Sequence, residues 1–201
     1  MTLPDIEQTC TELGDRLATY LNDHQITQPL LVGIRTGGVW VADRLQQKLQ
    51  TGDDVSSLDI SFYRDDFTRH GLHPQVKGSE LPDSIEDRHI VLVDDVVMSG
   101  RTIRAAMNEL FDYGRPASIT LVSLLDIGRR ELPIQPDLTG ARLELDNGQL
   151  VKLSGAKGEG WLLGLRTEQG TWDLIPGGLP ESQLRWPLLK RSSSSTVHHP
   201  L

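Results

Sequence analysis

Apolar side chains recur every three or four positions between Asp5 and His24, at Ile6, Cys10, Leu13, Leu17 and the Tyr20/Leu21 pair. That spacing predicts an amphipathic helix with one stripe against a core. The next stretch, QPLLVGIRTGGVWVADRLQQKLQ, predicts a short buried strand, a glycine-containing turn and a second helix. VSSLDISFYRDD alternates instead, with Leu58, Ile60 and Phe62 on one face, and predicts a strand. Residues 90–107, IVLVDDVVMSGRTIRAAM, read as a strand buried on both faces, a small-residue turn and a helix. After the helix stop YGRP, ASITLVSLLDIG is a further apolar strand.

Strands alternating with helices predict an α/β fold, a mostly parallel twisted sheet with helices on both faces. Past about residue 140 the pattern changes. ARLELDNGQLVKL alternates on either side of Asn147-Gly148 and predicts a hairpin, and GWLLGLRTEQGTWDLI predicts a second one. The expected organisation is a core over residues 1–141, a C-terminal antiparallel β extension over 142–189, and a disordered polar tail over 190–201. Trp161, Trp172 and Trp186 are expected to be core or interface anchors of the extension, and His198 and His199 to be incidental.

At 201 residues and 37% hydrophobic, the chain can fill one core with an appendage. No apolar run reaches the roughly 18 residues of a membrane-spanning helix, and the acidic N-terminus is unlike a signal peptide. The single cysteine, Cys10, excludes an internal disulfide and falls on the apolar stripe as a small core residue. A cytoplasmic location is expected. The net charge of −8 argues against general nucleic-acid affinity, without excluding a local basic patch.

Candidate chemistry concentrates in residues 94–102. In open parallel sheets, ligands sit beyond the carboxyl ends of the strands, where Asp94 and Asp95 are expected. The turn from Val96 to Thr102 leads into a helix whose first N–H groups lack intrahelical partners and favour a phosphate. Gly100 permits close approach, and Ser99 and Thr102 add hydroxyls. The carboxylates would repel a phosphate but suit hydroxyls or magnesium. Vicinal hydroxyls near a phosphate describe a ribose 5-phosphate. On the residues alone, simple helix capping by the two aspartates stays open.

VLVDDVVMSGRTI, residues 91–103, resembles the phosphoribosyl-diphosphate (PRPP) signature of type I phosphoribosyltransferases. LVGIRTGGVWVADRL, LDISFYRDDF, VKGSELP and GRPASITLVSLLDIGRRELPIQPD further resemble the PyrR-type family, over about residues 30–140. Those proteins combine uracil phosphoribosyltransferase activity with RNA-binding attenuation of pyrimidine-operon transcription. The resemblance implies transfer from PRPP to uracil, giving UMP and pyrophosphate with Mg2+, in a homodimer or higher homo-oligomer. The alternatives are a UMP-responsive RNA-binding attenuator with little catalysis, or a transferase for another base.

The resemblance also assigns roles. Asp94 and Asp95 would hold the ribose hydroxyls, directly or through magnesium. The backbone of Val97, Met98, Ser99, Gly100, Arg101 and Thr102 would hold the 5′-phosphate. Arg35, Thr36, Gly37 and Gly38 would form the pyrophosphate loop, with Gly37 standing where many members carry a basic residue. Arg64 would face pyrophosphate or a partner subunit, while Asp65 and Asp66 would cap a turn or serve the site. Residues 67–82, with Arg69 and Lys77, resemble a lid, and Ile127 and Gly128 lie where the pyrimidine is held. Family members that bind RNA carry basic residues at positions occupied here by Glu12, Asp15, Gln135 and Ala141. Arg129 and Arg130 are retained and are expected to line the site mouth or pair with Glu131. This balance argues against tight RNA binding.

Overall fold

A computed structural model describes residues 4–60, 78–155, 162–167 and 173–175. Phe62, residues 67–77 of the expected lid, the three C-terminal tryptophans and the 190–201 tail lie outside the described residues.

Helix α1 (Ile6–Asp23) begins where Asp5 accepts a hydrogen bond from the Gln8 N–H at 2.9 Å, and it buries Ile6, Cys10, Leu13, Leu17 and Leu21. Strand β1 (Leu30–Ile34) leads into helix α2 (Gly37–Leu49), followed by the short strand β2 (Ser56–Leu58). Strand β3 (His89–Val97), helix α3 (Arg101–Asp112), strand β4 (Ser118–Asp126) and strand β5 (Leu138–Arg142) complete the main sheet. Among the described residues its order is β2-β1-β3-β4-β5, and every neighbouring pair is parallel.

The continuous apolar strands cover two cores. Leu31, Val91 and Val93 join the cluster built on α1 and α2. Their alternates Leu30, Val32, Ile90 and Leu92 join the cluster containing Ile103, Ala106 and Leu110 of α3. Helices therefore flank both faces, as the pattern predicts. Strand order also matters: β1 and β3 are adjacent and parallel, so the turns that follow them open side by side at the carboxyl end of the sheet.

Strands β6 (Gln149–Ser154), β7 (Leu162–Thr167) and β8 (Asp173–Ile175) form a separate antiparallel sheet. The hairpin expected across GWLLGLRTEQGTWDLI is the β7–β8 pair. The one expected around Asn147-Gly148 is not formed. A turn does occur there, with Gly148 at φ 79° and the Gln149 N–H bonded to the Asp146 carbonyl at 3.0 Å. Arg129 also donates to the carbonyls of Leu145 and Asp146 at 2.8 and 2.6 Å, tying the segment before the turn to residue 129, while β6 pairs with β7. Upstream, the Leu143 N–H bonds to the Asp126 carbonyl, which keeps that segment against β4. The turn thus passes the chain from one sheet to the other.

Candidate active site

β3 does not end at its aspartates. Its ladder with β4 runs on through Val96↔Leu125 and Val97↔Asp126, so Asp94 and Asp95 lie inside the strand and the turn shortens to residues 98–100. The extension follows from β4, which stays extended to Asp126 and so offers partners beyond Asp94. Because side chains alternate along a strand, the two carboxylates leave on opposite faces. Asp94, 4% exposed, lines a cavity of about 200 Å³ with Ser99, Gly100 and Thr102, and its Oδ1 accepts from the Asp95 N–H at 3.0 Å. Asp95 points toward α2.

There Asp95 meets the turn after β1. Gly37 opens α2, and a Cβ built on it would stand 2.2 Å from Asp95 Oδ2. Any side chain at position 37 would displace that carboxylate. A Cβ on Gly38 would stand 2.5 Å from the Val93 carbonyl oxygen, so the pair of glycines lets α2 begin directly against β3. Thr36, at the helix N-cap, makes no side-chain cap hydrogen bond, and the Arg35–Thr36 peptide is cis. Arg35 is anchored by its N–H to the Leu58 carbonyl at 2.9 Å, and its Nη2 lies 3.1 Å from Glu80 Oε1.

The turn at residues 98–100 is bound from outside. Gly100, with φ 90°, is the N-cap of α3 and makes no side-chain cap bond, while Ser99 Oγ accepts from the Arg101 N–H at 3.3 Å. The Ser99 carbonyl accepts from the N–H groups of Glu131 and Leu132, and Arg130 Nη1 donates to the Met98 carbonyl at 2.7 Å. Arg130 also lies 2.8 Å from the buried Asp126 carboxylate and donates to the Ile134 carbonyl. Glu131 pairs instead with Arg101, at 2.6 Å. The expected pairing of Arg129 or Arg130 with Glu131 is therefore replaced: Arg130 straps the turn, and Arg129 holds the 145–149 backbone.

Ile127 lines this cavity, and Gly128 follows it in the chain without lining it. Their N–H groups are already used, by the Val97 carbonyl at 3.0 Å and by Asp126 Oδ1 at 2.8 Å. Arg64, Asp65 and Asp66 lie outside the described residues. The structure adds four residues that motif reading does not supply. Leu150 and Val151 of β6 line the cavity, Asp126 pairs with Arg130 and accepts from the Gly128 N–H, and Glu80 faces Arg35. Asp126 had a signal, an acidic residue ending an apolar strand just as in β3. Leu150 and Val151 had none, because their approach depends on how the second sheet docks.

A strand carrying paired carboxylates, a tight turn capped by glycine at a helix N-terminus, and a second glycine turn on the neighbouring strand together define a phosphoribosyltransferase. Residues 5–150 match the Phosphoribosyl transferase domain family. The solved structures agree in fold: a hypoxanthine-guanine phosphoribosyltransferase from Bacillus anthracis superposes with a TM-score of 0.57 at 17% identity, over 71% of this chain and 81% of that one. A hypoxanthine phosphoribosyltransferase from Staphylococcus aureus gives 0.53 at 24% identity, over 73% and 77%. Sequence similarity is far closer to the Bifunctional protein PyrR of Pseudomonas fluorescens, 56% identical over 155 residues, which span 77% of this chain and 92% of that protein. The Pseudomonas aeruginosa protein of the same name is 55% identical over 77% and 91%. The chain belongs to the PyrR-type family of phosphoribosyltransferases.

Proposed function

We propose that the protein transfers the phosphoribosyl group of PRPP to uracil, giving UMP and pyrophosphate. The observation that carries this reading is the placement of Asp94 and Asp95 between the two turns. Asp94 lies beside the Met98–Gly100 turn, and Asp95 lies against the glycine turn at residues 35–38. A 5′-phosphate at the first turn and a diphosphate at the second would leave the ribose hydroxyls over the end of β3. In this arrangement, Ser99, Gly100, Arg101 and Thr102, with the Val97–Met98 backbone, hold the 5′-phosphate. Arg35, Thr36, Gly37 and Gly38 hold the diphosphate. Such a site works by position and by electrostatic stabilisation of the departing diphosphate, without a protein nucleophile.

The donor set suits Mg2+, a hard ion that takes one or two carboxylates and completes its shell with substrate oxygens and water. Asp94 and Asp95 are the candidate ligands, and the contact of Asp95 with Gly37 puts that carboxylate beside the diphosphate turn. When bound, the ion neutralises charge on the diphosphate. Uracil as acceptor rests on the family. With the N–H groups of Ile127 and Gly128 spent, the backbone there offers carbonyls, which can accept from the N3–H of uracil.

The decisive experiment incubates the protein with PRPP, Mg2+ and a panel of uracil, cytosine, hypoxanthine and guanine. UMP formation from uracil alone is expected, and turnover confined to another base would reject uracil. The PyrR-type family resemblance also raises RNA attenuation. Arg129 and Arg130 spend their donors on the protein's own carbonyls and on Asp126, which supports an enzyme with weak RNA binding. A gel shift with pyrimidine-operon leader RNA at low salt should show no tight complex, with or without UMP. A homodimer or higher assembly, checked by light scattering, completes the proposal.

A further inference from the structure

The diphosphate turn carries its own anion. Arg35 Nη2 and Glu80 Oε1 are 3.1 Å apart, with the carboxylate side chain 76% exposed and the arginine 22%. Both ends of this pair are fixed on β2. The Arg35 N–H bonds to the Leu58 carbonyl, while Glu80 exchanges two backbone hydrogen bonds with Ser57, at 2.9 and 2.8 Å. Neighbouring Ser79 is fixed as well. Its hydroxyl accepts from the Asp59 N–H and donates to Glu109 of α3, both at 3.1 Å. The carboxylate therefore reaches Arg35 from a rigid base. On the inner side, Arg35 Nε is buried and has no hydrogen-bond partner among the described residues.

Resting on the diphosphate reading of this turn, we propose that Glu80 is a placeholder for the diphosphate: it pairs with Arg35 until the ligand arrives and is then displaced. The carboxylate end of the pair is exposed, so it returns to water at small cost. A diphosphate oxygen gives the guanidinium a stronger, charge-assisted contact in its place. Glu80 thereby keeps Arg35 directed at the site when empty, and it eases departure of the diphosphate product. Glu80 is a positioning residue, acting only through Arg35.

Binding of Mg2+–pyrophosphate, measured by calorimetry on the full chain at low salt, tests this with Glu80→Gln and Glu80→Asp. Removing the competitor in Glu80→Gln should tighten pyrophosphate binding about two- to five-fold, the range a surface pair commands. Pyrophosphate should become a correspondingly stronger product inhibitor while kcat in the forward reaction does not rise. The difference from wild type should shrink in about 0.5 M salt, where exposed charges are screened. Glu80→Asp, one methylene short on a fixed backbone, should behave like Glu80→Gln. Unchanged or weaker binding in Glu80→Gln, or wild-type binding in Glu80→Asp, would overturn the proposal. Failure of the folded wild-type protein to bind Mg2+–pyrophosphate at all would instead reject the diphosphate reading itself.

Discussion

Gly37 shows how much a single hydrogen atom decides at this site. A Cβ there would lie 2.2 Å from Asp95 Oδ2, so Gly37→Ala must push that carboxylate away from the turn at residues 35–38. The fold should survive, as judged by circular dichroism, while kcat/KM for PRPP falls at least about ten-fold, or roughly 1.4 kcal/mol of transition-state stabilisation. Any side chain at position 37, a basic one included, excludes the present Asp95 conformation. Cys10 is a second residue-scale case. Burial, with a smaller contribution from Glu7, raises its thiol from 9.0 to about 11. As pH climbs, the unfolded chain loses the thiol proton first, so the stability contributed by Cys10 is complete below pH 9 and declines between 9 and 11. Denaturant midpoints should therefore drop less over that interval in Cys10→Ala than in wild type. Native Cys10 should also resist iodoacetamide at pH 7.5 until the chain is unfolded.

At the scale of elements, β3 is the bearing part. It carries Asp94 to one turn and Asp95 to the other by strand alternation alone. Asp94→Asn with Asp95→Asn should abolish turnover and leave the thermal transition in place; full activity would overturn the site assignment. The segment after β4 acts as a buckle. Arg130 joins the Asp126 carboxylate to the carbonyls of Met98 and Ile134, and Asp126 also accepts from the Gly128 N–H. Asp126→Ala would leave a largely buried guanidinium without its counter-ion, at a cost of about 3 kcal/mol or more. Calorimetry should record the lower Tm, and KM for PRPP should rise because the 98–100 turn loses its strap. RRELP in the sequence shows the charges, but Arg130's partners come from the neighbouring ends of β3 and β4.

For the whole molecule, the C-terminal sheet is more than an appendage. Leu143, Leu153 and Leu163 are buried in the same cluster as Leu13 and Leu17 of α1. Ending the chain at residue 141 would uncover that cluster, and each buried leucine contributes about 1.5–3 kcal/mol. Such a fragment should aggregate or melt well below the full chain in a thermal scan, despite containing every residue of the two turns. It should also lose the cavity wall formed by Leu150 and Val151. A boundary at 141 therefore divides the sequence pattern but not the core.

The linear sequence by itself determined the α/β order, the parallel sheet, and the two small-residue turns that follow β1 and β3. Each of these is local: apolar periodicity, a strand followed by a small-residue turn, and paired acids at one strand. Tertiary structure alone decided the rest. It extended β3 past its aspartates because β4 ran alongside, and sent the two carboxylates to different turns. It also withheld the Asn147-Gly148 hairpin, because Leu143 stays bonded to the end of β4 while β6 pairs with β7. Glu80 and Arg35, 45 positions apart in the chain, meet only because both are hung on β2. Hydrogen-bond acceptors and counter-ions are shared goods in a folded chain, and which group takes them depends on what packs nearby.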